Sequence, residues 1–148
     1  MIPDDQRESR AESRDETFTK KERLIKTKDF RKVYQEGRSF KAGFTPLDVP
    51  SNAVKAKCLT GFIILKISAN TALTNRVGFS ISAKSIKRAN KRNRIKRLFR
   101  EAYRKNKKIL KKGFDIVFVV RRDTKCGFSY KDAEEILLSL SKQAGILL

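Results

Sequence analysis

Hydrophobic residues occur along the chain in short blocks, and their spacing changes from one block to the next. Phe30, Val33 and Tyr34 recur at three- and four-residue spacing, with Thr27 as N-cap, Asp29 in the first turn and Gly37 as a stop; this predicts a helix of about ten residues. Residues 58–68 (CLTGFIILKIS) are rich in apolar and β-branched side chains, and a turn is expected over residues 69–75. Residues 76–82 (RVGFSIS) set Val77, Phe79 and Ile81 against Gly78, Ser80 and Ser82, the alternation of a half-buried strand. These two strands are expected to pair antiparallel. Ile95, Leu98, Phe99, Ala102 and Tyr103 return to helical spacing. Gly113 ends that helix, and residues 114–120 read as a buried strand. Ser129 with Asp132 resembles a capping box ahead of a last helix whose stripe is Ile136, Leu137 and Leu140.

The order helix, strands, helix, strand, helix predicts an α+β fold, a two-layer sandwich of a small mixed sheet and about three helices. Residues 20–148 form a single domain in this reading, and the polar, mixed-charge residues 1–19 a disordered extension. Residues 41–57 contain Pro46, Pro50, Ser51 and Asn52 without clear period and read as a long loop; an edge strand near residues 40–44 is the alternative.

Charge narrows the function more than length does. The 148 residues include 36 Lys and Arg against 16 Asp and Glu, a formal net charge of +20. A compact chain so charged repels itself unless a polyanion is near, and nucleic acid is the commonest one. Residues 1–16 have no apolar signal-like core, and the apolar runs at 61–65 and 114–120 fall far short of the ~20 residues that span a bilayer. No membrane association is expected. Cys58 and Cys126 are not in a metal-binding spacing and are expected to be thiols in a reducing cytoplasm. The chain has no histidine, which removes the usual general base, the Ser–His and Cys–His pairs and the commonest metal ligand. No catalytic constellation of side chains is visible, and no metal or cofactor site is expected in the protein.

The charge is concentrated in KRNRIKRLFREAYRK, residues 91–105, where eight basic residues meet only Glu101. On a helical wheel the apolar residues of this segment occupy one face. Lys96, Arg97, Arg100 and Arg104 lie opposite, with Asn93 among them and Arg94 alongside. Glu101 offers local relief to Arg97 and Lys105. A solvating face normally mixes Lys with Glu, whereas arginine-rich faces suit phosphate through paired planar donors. The apolar face is needed for the core, so it cannot also enter lipid.

Together these residues resemble a known family. RVGFSIS at 76–82, followed by RNRIKR at residues 92–97, is similar to the signature of the bacterial ribonuclease P protein subunit. KTKDFRKVYQEG resembles that family's first helix, and GFDIVFVVR its last strand. The resemblance runs from about residue 20 to residue 148. It implies a ribosomal protein S5 domain 2-like fold with a left-handed βαβ crossover, against the usual right-handed rule. It also implies a protein that is not catalytic alone. Its partner is a catalytic RNA that uses Mg²⁺ to remove the 5′ leader of precursor tRNA; no protein partner is implied.

By position, Lys84, Lys87, Arg88, Lys91, Arg92, Asn93, Arg94, Lys96, Arg97, Arg100 and Arg104 would serve the RNA face. Phe30, Tyr34, Arg76 and Ser80 would line a cleft for the single-stranded leader. Core packing is the alternative for Phe30 and Tyr34, a bracing role for Arg92, and local hydrogen bonding for Asn93. The family's Gly-Asn-Ala-Val before its arginines is replaced here by Lys87-Arg88-Ala89-Asn90. A ribosomal or general RNA-binding protein is the competing class, and an architectural DNA-binding protein a weaker one.

Overall fold

The computed structural model describes residues 17–43, 62–121 and 128–148. Residues 1–16, most of the 41–57 loop, Cys58 and Cys126 lie outside these. The first helix, α1, spans Thr27–Glu36 and leads into strand β1, Arg38–Gly43. Strands β2, Phe62–Ala69, and β3, Arg76–Ile81, precede the basic helix α2, Ala89–Asn106. Strand β4 is Phe114–Val120 and helix α3 is Tyr130–Gln143; short 3₁₀ turns occupy Lys20–Glu22 and Lys107–Ile109.

The sheet order is β1-β2-β4-β3, with β4 antiparallel to β2 and parallel to β3. The expected β2–β3 pair is therefore corrected: β4 lies between them. The reason is burial, since every residue of β4 from Asp115 to Val120 is buried, and a run apolar on both faces belongs at the centre of a sheet. The loop expected from residue 41 is corrected in its first residues: the alternative, an edge strand, is present as β1, paired with β2 from Arg38↔Ile67 to Gly43↔Phe62.

The register assigns each side chain to a face. Ile116, Phe118 and Val120 point, with Ile63, Leu65, Ile67 and Val77, toward Ile95, Phe99, Ala102 and Tyr103 of α2 and Ile136, Leu137 and Leu140 of α3. Phe99 stacks on Phe118 at 5.3 Å between ring centroids, and Phe79 stacks on Phe118 at 5.9 Å. Val117 and Val119 point the other way and pack with Leu24 and Val33, flanked by Phe30, Tyr34 and Ile64. So α1 covers the face opposite α2 and α3.

Two helix ends differ from expectation. Lys26, not Thr27, is the N-cap of α1, and no side chain caps it. Gly37 does end α1, but with φ at −77° rather than in the left-handed region. Close approach explains the glycine: a Cβ there would lie 2.2 Å from the Val33 carbonyl oxygen and 3.0 Å from that of Ile67. The capping box of α3 is present, with the Ser129 amide and hydroxyl donating to Asp132 at 2.8 and 2.6 Å. At the other end of the chain Phe18 packs edge-on against Tyr103, with centroids 5.6 Å apart.

Candidate nucleic-acid interface

The N-terminus of α2 is built against its own dipole. Arg88 is the N-cap, no acidic residue stands in the first turn, and Lys91 and Arg92 do. Cations at the positive end of a helix repel it, and an anion there relieves both the helix and the lysines. Lys84, Ser85, Lys87, Arg88 and Lys91 surround an open cavity of about 310 Å³ beside this end. Arg92 turns inward: its guanidinium donates to the Ile86 and Lys87 carbonyls, both at 2.8 Å, and braces the loop that carries those cations. Asn93, Arg94 and Arg97 are exposed along α2. Glu101 takes Arg104 as its partner, at 2.6 and 2.9 Å, rather than Arg97 or Lys105. The Arg104 hydrogen bonds hold the Glu101 carboxyl below its usual range. Lys105 instead lies over the Tyr130 ring, 4.8 Å from its centroid.

A second surface opens between α1 and the sheet. Register places Arg76, Gly78 and Ser80 of β3 on the α1 face, beside Asp115, Val117 and Val119. Phe30 projects from α1 onto Gly78 so closely that a Cβ there would stand 2.6 Å from the tip of its ring. Beside this contact is a cavity of about 120 Å³, bounded by Phe18, Arg23, Phe30, Phe79, Lys96 and Arg100, among others. The Arg100 guanidinium sits 5.8 Å from the centre of the Phe79 ring. Burial, and the like charges of Arg23 and Arg97, lower its pKa. Lys96 and Arg100 therefore border this cleft as well as the basic face.

The remaining cleft candidates lie apart from that cavity. Tyr34 packs over β2, where Lys66 approaches its ring to 5.0 Å. Arg76 is committed to carboxylates: two hydrogen bonds to Asp115, at 2.8 and 2.6 Å, and one to Asp29, at 3.2 Å. The Asp115 hydrogen bonds raise its pKa further. Ser80 is half-buried on the same face. Sequence reasoning missed Phe18, Arg23 and Phe79. Phe79 reads as core by alternation, and the isolated Phe18 falls in a polar stretch with no periodicity to mark it. Arg23 and Leu24 cross the outer edge of β3, where the Leu24 amide donates to the Val77 carbonyl at 3.0 Å.

Carboxylates that might do chemistry are otherwise engaged. Glu22 binds Lys107 at 3.0 Å, Asp132 caps α3, and Glu134 accepts from Asn106 and Tyr130. Among the described residues no three His, Cys, Asp or Glu side chains gather as a metal site would need. None of the described helices is long and apolar enough to cross a membrane. A cationic helix and an aromatic, cation-rimmed cleft, docked on one mixed sheet, are surfaces of the class that suits a polyanion.

Comparison with known proteins agrees. Residues 18–145 match the family model described as Ribonuclease P. The ribonuclease P protein component of Clostridium botulinum strain Loch Maree is 37% identical over 128 residues, covering 86% of this chain and 97% of that protein. Two solved structures share the fold. The RNase P protein of Staphylococcus aureus superposes with a TM-score of 0.64 at 23% identity, over 86% of this chain and 98% of that one. That of Thermotoga maritima gives 0.60 at 26% identity, over 82% and 96%. The chain belongs to the ribonuclease P protein family. It is thus a component of the ribonucleoprotein endoribonuclease of tRNA 5′ processing, and its association with the RNase P RNA follows from that membership.

Proposed function

We propose that the two surfaces divide the work of the subunit between two RNAs. The loop at Lys84–Lys87–Arg88 and the outward residues Lys91, Asn93, Arg94 and Arg97 hold the catalytic RNA. The cleft at Phe30, with Phe79, Arg23, Lys96 and Arg100, takes the 5′ leader of precursor tRNA. The RNA subunit, with Mg²⁺, supplies the bond cleavage, in the cytoplasm. The observation that carries this reading is the cleft itself: three aromatic rings beside three cations. Stacking on such rings is tolerant of base identity, as a surface for variable leaders requires.

The test is Phe30→Leu with Tyr34→Leu, assembled with the RNA subunit. Leucine keeps apolar bulk and removes the ring planes, and base stacking is worth about 1–3 kcal/mol per base. Affinity for precursor tRNA should fall about tenfold or more, most of it already present in Phe30→Leu alone. Affinity for mature tRNA and for the RNA subunit should hold. Equal losses for precursor and mature tRNA would show that the rings serve the fold alone.

A further inference from the structure

Beyond these two surfaces, at the C-terminal end of α2, lies a further basic cavity of about 200 Å³, bordered by Glu22, Thr74, Tyr103, Lys107, Lys108 and Lys112. Three ammonium groups meet one carboxylate there. The walls are fixed. Lys107 is anchored to Glu22 at 3.0 Å and to the Thr17 carbonyl at 2.8 Å. Asn75, also in the lining, donates to the Lys111 carbonyl at 2.8 Å and accepts from the Phe114 amide at 3.0 Å. The space is below the ~300–1,000 Å³ of typical small-molecule sites. It admits one phosphate group with water rather than a whole nucleotide.

Position favours one source for that phosphate. Lys96, Arg100, Tyr103 and Lys107 follow one another at four-, three- and four-residue spacing, so they line one edge of α2 and its C-cap. The first two border the leader cleft, and the last two border the distal cavity. The edge-on pair of Phe18 and Tyr103 is the wall between them, since Phe18 borders one cavity and Tyr103 the other. Arg94 and Arg97 lie on another side of the helix. A strand leaving the cleft over that wall reaches the distal cavity without crossing the catalytic-RNA face.

We propose that the Lys107–Lys108–Lys112 cavity is a phosphodiester subsite for leader nucleotides upstream of those in the cleft. It rests on the leader reading of the cleft. Catalytic RNA and free phosphate present the same chemistry, and the experiment separates them. Precursor tRNAs with stepwise longer leaders are bound to the subunit assembled with its RNA, using wild type and the exposed double variant Lys108→Gln, Lys112→Gln. Wild type should gain affinity once the leader is long enough to pass the Phe18–Tyr103 wall. The variant should lose that increment, and its long-leader affinity should weaken about threefold less per lysine removed between low and moderate salt, while short-leader affinity and far-ultraviolet circular dichroism stay unchanged. Inorganic phosphate should abolish the increment in wild type only at concentrations well above those of the precursor. An increment that survives in the variant overturns the proposal. So does a loss shared by mature tRNA or by RNA-subunit affinity, which would assign the lysines to the catalytic RNA, or an increment lost at micromolar inorganic phosphate, which would assign the cavity to free phosphate. Because the increment is read as a difference between leader lengths, it stands or falls apart from the Phe30 variant that tests the cleft.

Discussion

Arg76 and Asp115 stand opposite each other across the parallel β3–β4 pair and share two hydrogen bonds, of 2.8 and 2.6 Å. The same guanidinium reaches Asp29 on α1, so one side chain ties the helix over the cleft to the sheet beneath it. Asp115 is 2% exposed, and Asn70 is its other partner, at 2.8 Å. Arg76→Ala leaves that carboxylate buried with only the Asn70 hydrogen bond of these three. Breaking a fully buried pair costs about 3–5 kcal/mol, and the partial exposure of Arg76 reduces this to about 2 kcal/mol. Urea unfolding measures it. Asp29→Asn, at the more exposed end, should cost less than about 1 kcal/mol.

Gly78→Ala tests how closely α1 approaches the sheet. The new methyl would meet the Phe30 ring at 2.6 Å and the Leu24 Cβ at 3.1 Å. Overpacking of this kind costs about 1–3 kcal/mol. The Phe30 ring must also move, so discrimination between precursor and mature tRNA should fall further than stability alone accounts for. Binding of both tRNAs by the assembled complex checks this; unchanged discrimination in a destabilised variant would separate the ring from the leader.

Arg92 and its neighbours should behave differently. Arg92→Ala frees two carbonyls of the loop before α2 and should lower stability by about 1–2 kcal/mol. Arg94→Ala with Arg97→Ala removes exposed charges and should leave the unfolding midpoint nearly unchanged. Affinity for the RNA subunit should drop, and its logarithmic salt slope should shrink by about 0.9 for each phosphate no longer neutralised. A folded double variant with the wild-type slope would remove these arginines from the interface.

The packing of α2 against α3 carries a pH dependence with two signs. Glu134 accepts hydrogen bonds from Asn106 and Tyr130, which hold its pKa below the usual range. Its contribution to stability is present above the unfolded carboxyl pKa and is lost as pH falls through the depressed folded value. Tyr130 is pushed up to about 12 by burial and by its bond to Glu134. Its contribution is present below the unfolded phenol value and is lost as pH rises through about 12. Glu134→Gln should therefore flatten the acid limb of stability against pH and lower the tyrosinate titration of Tyr130, read by ultraviolet absorbance.

Periodicity was enough for the elements because each helix and strand presents its own core face. The stripe of α2, the alternation of Val77, Phe79 and Ile81, and the Ser129–Asp132 cap all depend on residues close in sequence. What depended on distant residues was not legible. Nothing in residues 58–82 says that β4 will enter between β2 and β3. Arg76 reads as a free cation until Asp115 and Asp29 are brought to it. Phe18 and Arg23 border the cleft only because the segment before α1 crosses the edge of β3. The resemblance named Phe30 for a cleft, and Phe30 borders a cavity; no pattern of spacing pointed to Phe79 beside it.

The central place of β4 has a consequence for synthesis. This strand comes off the ribosome after β1, β2, β3 and α2, yet it supplies the hydrogen bonds that join β3 to β2. Until residues 114–120 emerge, the nascent chain holds a hairpin-like β1–β2 pair, a lone strand, and a cationic helix whose apolar face has no Phe118 to rest on. Non-local pairing of this kind is slow to form, because loop closure must precede the contacts that reward it. The arginines of α2 therefore leave the ribosome before the sheet that will orient them exists.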